Sequence, residues 1–147
     1  MQEFRHRVAR RSGYTVLELV IVVTISAILL SIALPRGQLI LDRLSVHAAA
    51  SDVAAMLASA RALALASRSA IAVDVDSGSG VLRVRRGDEM ILSRNIGQAH
   101  GVRVARTRDS LTYDSYGLGR GAANLSVIIR RRAAMETVFV SRLGRVR

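Results

Sequence analysis

The chain contains no cysteine, no tryptophan and, among its 22 basic residues, no lysine. Without cysteine there is neither a disulfide staple nor a thiol nucleophile, so any exported domain must rest on its apolar core. Three histidines, His6, His47 and His100, are scattered through 147 residues and do not make a His-rich zinc site. His47, on a helical stretch, reads as a partly exposed structural residue. Aromatic residues are 3% of the chain, too few to interleave with arginines as a base-stacking platform. Acids are also short: 11 against 22 arginines, for a formal charge of +11. From Arg36 onward the count is 18 arginines and 9 acids, a net of +9. A domain this basic attracts polyanions or acidic protein faces. Nothing repeats at a fixed period.

Two apparent motifs dissolve on inspection. Asp74 and Asp76 stand two apart on one strand face, where a metal pair is conceivable. Arg83 and Arg85 on the returning strand make them solvated, charge-balanced acids instead. Gly117-x-Gly119-x-Gly121 lacks a Walker lysine, and the dinucleotide spacing fails at Ala122. No catalytic residue, metal ligand or cofactor is expected. The chain does not read as an enzyme.

What is present is one long apolar stretch. Residues 14–34 carry a single ionisable carboxylate, Glu18. As a helix, 21 residues span roughly 31 Å, enough to cross a hydrocarbon core. Arg5, Arg7, Arg10 and Arg11 precede it against one acid, Glu3. Positive charge at the start of a span keeps that end cytoplasmic, so the rest of the chain is expected outside. Ser31-Ile32-Ala33 has the form of an ordinary signal cleavage site. The apolar run, however, is longer than a signal core of about 7–15 residues and contains Glu18.

A carboxylate in the first turns of a membrane helix costs roughly 2.5–3.5 kcal/mol and marks a functional site with a partner. A cut after Gly13 would expose a new α-amino group on Tyr14, four residues from Glu18 and on the same helix face. An ammonium from a neighbouring subunit would neutralise the carboxylate.

Further on, Pro35, the only proline, and Gly37 mark a place where a helix kinks or ends. Val46, Ala50, Val53, Leu57, Ala60 and Ala64 then recur at spacings of three and four, giving one apolar face. Asp42, Ser45, Asp52 and Ser59 fall on another side. One helix is expected from about Tyr14 to about Ser67. Beyond Ser69 the period becomes two: residues 71–76 and 81–86 flank Ser77-Gly78-Ser79-Gly80 as a hairpin. Residues 90–92, 102–106, 111–113, 125–130 and 136–142 are further strands, and the stretch holding Gly117, Gly119 and Gly121 is a loop.

Arg10-Arg11-Ser12-Gly13 followed by Tyr14-Thr15-Val16-Leu17-Glu18 resembles the class III leader and peptidase site of type IV pilins and type II secretion pseudopilins. Tyr14 stands where that family usually has phenylalanine. The Ala-rich second half of the helix with Arg61 and Arg68, the hairpin, the glycine-bearing stretch and the final Gly-Arg-Val narrow the likeness to GspH/FimT-type minor pseudopilins. The resemblance implies an α+β fold, a long helix packed on an antiparallel sheet or β-sandwich. It implies a leader of residues 1–13, a transmembrane helix over 14–34, its amphipathic continuation over 35–68 and a periplasmic domain over 69–147. Prepilin peptidase would cut between Gly13 and Tyr14 and methylate Tyr14, and Glu18 would serve assembly. The partners implied are that peptidase, inner-membrane lipid and other pilin or pseudopilin subunits.

Two roles follow from the resemblance. In one, the chain is a structural subunit of a type II secretion pseudopilus. In the other it is a minor type IV pilin that binds DNA for uptake. Gly144-Arg145-Val146-Arg147 matches the GRxR pattern some FimT-type pilins carry for DNA, and paired guanidinium donors suit phosphate oxygens. Arg142, Arg130, Arg131 and Arg132 extend that patch if their strands are adjacent. Equally, the arginine-rich ending closes a sheet edge and blunts strand pairing.

Overall fold

The computed structural model describes residues 13–120 and 124–147. The leader arginines and Gly121 fall outside them. Helix α1 runs Val16–Ser67 and contains Pro35. Thr15 starts it: its hydroxyl accepts the Glu18 N–H at 3.2 Å, the first half of a Thr-x-x-Glu capping box. The chain divides into two compact units, one ending at Gly37 and one covering Gln38–Arg147.

In the first unit the large apolar residues between Val16 and Leu34 are all 49–79% exposed. Thr24, Ser26 and Ser31 return their hydroxyls to carbonyls three or four residues back. Each of these hydroxyls is thus satisfied by its own helix, as an apolar solvent requires. It is the one helix among the described residues that is long and apolar enough to cross a membrane.

In the second unit, two antiparallel sheets are built from seven strands: β1 Ile71–Asp76, β2 Val81–Arg86, β3 Glu89–Asn95, β4 Arg103–Arg106, β5 Ser110–Tyr113, β6 Leu125–Arg131 and β7 Ala134–Val140. Their orders are β3-β2-β1-β5 and β4-β6-β7. Alternating burial along β1, β2 and β6 sends Ile71, Val73, Val75, Leu82, Val84, Leu125, Val127 and Ile129 inward. These meet Val46, Ala49, Ala50, Val53, Met56, Leu57, Ala60 and Ala64 of α1 in a single core. The small alanines are what allow close approach of the helix. The expected α+β architecture is therefore the one observed.

Three details differ from the sequence reading. Asp42, placed on the solvent side by periodicity, is only 2% exposed. Arg131 Nε lies 2.9 Å from its carboxylate and Arg132 Nη1 3.1 Å, so two guanidinium groups compensate its burial. A five-residue helix, α2 Ile96–His100, follows β3 directly. Asn95 caps it by accepting the Gln98 N–H at 2.9 Å, and Gly101 closes it in the left-handed region at φ 61. Finally β7 stops at Val140, where residues 141–144 turn.

Between the hairpin and α2 the backbones nearly touch. The Gly80 carbonyl accepts the N–H groups of both Ile96 and Gly97, at 3.0 and 3.1 Å. Gly80 has φ +68, and a Cβ built on it would lie 2.7 Å from the Gly97 Cα. Only glycine fits there.

Candidate assembly site and arginine surfaces

Gly13, Tyr14 and Glu18 lie at the start of α1. Tyr14 sits two residues before the first helical residue, and its ring is exposed, as is Glu18. A Cβ added at Gly13 meets nothing within 4 Å among the described residues. Glu18 has no ion-pair partner among the described residues.

At the other end of the sequence the tail folds back along β7. Phe139 and Arg147 exchange both backbone hydrogen bonds at 2.8 Å, and Val146 opposes Val140. Gly144, at φ +70, packs where a Cβ would collide with the Gly117 carbonyl. That carbonyl also accepts the Arg61 Nε–H at 3.0 Å. Arg145 and Arg147 are exposed on either side of Val146, and with Arg61, Ala62 and Leu65 they line an open cleft. Arg142 is exposed in the turn between, its carbonyl accepting the Gly119 N–H at 3.1 Å.

Arg130, Arg131 and Arg132 are not part of this cleft. Strands β6 and β7 are indeed neighbours, but Arg130 opposes Met135, whereas Arg147 lies beside Phe139. Four residues of strand separate those positions by roughly 13 Å. Arg131 and Arg132 moreover turn to Asp42. The arginines singled out in the sequence thus form two groups instead of one patch.

Several of the remaining charged residues are paired. Asp74 bonds Arg85 Nε at 2.5 Å, which holds that guanidinium protonated still more firmly than usual. Asp76 accepts from the Ser79 hydroxyl and the Gly78 N–H, and these hydrogen bonds keep its carboxyl below the usual range. His47 is exposed and lies 3.3 Å from Glu136. Asp52, half-buried, receives His100 Nε2 at 2.7 Å and Arg94 at 3.1 Å, a cluster the sequence reading missed. Its cue was weak: the acid and the histidine stand 48 residues apart. Burial pushes the Tyr113 hydroxyl up to about 12, with the Arg61 charge pulling the other way.

Comparison with known proteins first defines a class. Residues 8–34 match the prokaryotic N-terminal methylation motif. None of the curated proteins matches the chain. Solved structures then supply the fold: the type IV minor pilin FimU of Pseudomonas aeruginosa is similar with a TM-score of 0.62 and 19% identity, over 71% of this chain and 88% of that one. A second crystal form of FimU gives 0.58 and 17%, over 69% and 90%. The chain therefore carries the methylation motif at its N-terminal end and has the type IV minor-pilin fold.

Proposed function

We propose that the chain is a low-abundance structural subunit of a pilin-type filament, anchored in the inner membrane by residues 14–34 with its domain in the periplasm. The observation that carries this reading is the stretch of α1 up to Leu34: apolar on every side, exposed throughout, and with Glu18 in its first turn as the one ionisable side chain. Prepilin peptidase cuts after Gly13 and methylates Tyr14. The new amine of one subunit then pairs with Glu18 of the next, which removes the cost of the carboxylate in lipid. The pilin-like fold supports a structural role without catalysis or cofactor. The filament in this reading is the type II secretion pseudopilus. Intact mass of the membrane-extracted protein tests the processing step. The expected product begins at methylated Tyr14; a chain beginning at Met1 or Leu34 overturns the reading.

A second reading, a type IV pilus subunit that takes up DNA, draws support from the likeness to FimU and from the exposed pair Arg145 and Arg147. With no aromatic side chain between them, binding would be to backbone phosphates and independent of sequence. The Arg145→Gln/Arg147→Gln double variant should then bind duplex more weakly. Its slope of log affinity against log salt should fall by about 0.9 for each phosphate that is no longer neutralised. An unchanged affinity and slope in the folded full chain removes the C-terminal site.

A further inference from the structure

A second basic hollow lies away from the C-terminal tail, lined by Gly101, Arg103, Arg130, Arg131 and Arg132. Arg103 and Arg130 are partners across β4 and β6, both exposed. Neither has a carboxylate partner among the described residues; Arg130 Nε meets only the Met135 thioether, a weak acceptor, at 3.1 Å. Arg131 is fixed from three sides, by Asp42, by the Ser45 hydroxyl at 2.8 Å and by the His100 carbonyl at 2.9 Å. Arg132 is held by the same Asp42. Four guanidinium groups therefore line the hollow, two of them balanced by the one buried carboxylate of Asp42, a net of +3. The site is charged, preorganised and open, which is what an anion needs.

We propose that this hollow binds the phosphate of an anionic phospholipid headgroup. The proposal rests on the membrane-anchor reading of residues 14–34. Asp42 and Ser45, which hold Arg131 and Arg132, follow Leu34 by eight and eleven residues. Chain connectivity alone keeps Asp42 within about 28 Å of the end of the apolar run. Lipid headgroups are thus present at high effective concentration, an advantage no free polyanion has. Arginines beside a membrane surface each strengthen attraction to anionic lipid by about fivefold. The hollow lacks any aromatic side chain to stack a base, which removes the main reason to prefer single-stranded nucleic acid.

The test uses the full chain in nanodiscs of phosphatidylcholine alone or with about a third phosphatidylglycerol. Hydrogen exchange is followed in segments 101–106 and 128–135. Exchange should slow in the anionic discs. Arg103→Gln/Arg130→Gln, at exposed positions without ion pairs, should abolish the difference by weakening headgroup affinity about thirtyfold, while core segments stay protected. Equal exchange in the two discs, with residues 16–34 protected in both, overturns the headgroup site alone. Residues 16–34 exchanging freely in both overturns the anchor reading and this proposal with it. Inorganic phosphate or duplex DNA protecting the hollow in neutral discs as well as phosphatidylglycerol does would assign the site to a free anion instead.

Discussion

The two halves of α1 differ in composition and in how far the rest of the chain covers them. Before Gly37 the helix shows Leu, Ile and Val on every side, none covered. From Val46 to Ala64 its large residues thin out, alanines take over, and one face reaches 0–3% exposure against the sheets. The halves also differ in pattern: the apolar residues form a full cylinder in the first and a single stripe in the second, and only the stripe is covered by the protein's own core.

The largest effect that would sharpen this contrast comes from Glu18→Ala. Membrane insertion should hold or improve, because a costly carboxylate is gone, while incorporation into sheared or cross-linked filaments should be abolished. Wild-type incorporation of the variant would break the assembly reading. Next in size is a matched pair of truncations. Leu57→Ala, in the fully buried face, should destabilise the domain by about 2–5 kcal/mol in denaturant unfolding of the micelle-bound chain. Leu29→Ala, in the exposed half, should leave that transition where it is. A similar loss from both would mean the two halves do not differ as described.

The smallest effect concerns Tyr113, whose ring is buried and whose hydroxyl has no hydrogen-bond partner among the described residues. An unfolded tyrosine ionises near 10, whereas here the group is pushed up to about 12. The neutral form is therefore favoured by folding. Its contribution is complete below about pH 10 and disappears as pH rises through about 12. Tyr113→Phe should shift neutral-pH stability by no more than about 1 kcal/mol and flatten the alkaline decline. An unaltered decline in the variant would assign it to other groups.

How far the sequence could be read follows the same division between local and distant causes. The Val46–Ala64 stripe, the first hairpin's period-two strands and its Ser-Gly turn are statements about near neighbours, and appear where periodicity puts them, whereas the last strand runs 134–140 instead of 136–142. Asp42 did not, because the arginines that draw it inward come 89 and 90 residues later and no local pattern announces them. The same pairing explains why Arg131 and Arg132 leave the C-terminal arginines. Helix α2 is too short to show a period. Asn95 and Gly101 frame it with the usual caps, a signal legible only once a helix is suspected.

The back-to-back glycines at 80 and 97 carry a consequence for how this chain can vary over generations and in the laboratory. A Cβ on Gly80 would lie 2.7 Å from the Gly97 Cα, backbone that no choice of side chain at 97 moves away, while one on Gly97 would press to 3.2 Å against the Gly80 Cα. The two behave as a single heritable unit written in two places, one in a hairpin and one in the short helix after β3. Contrast the turn at Gly87, where the φ of +59 favours glycine but an added Cβ meets nothing within 4 Å among the described residues. Insertions and epitope tags have room at that turn, and little at the hairpin that faces Gly97.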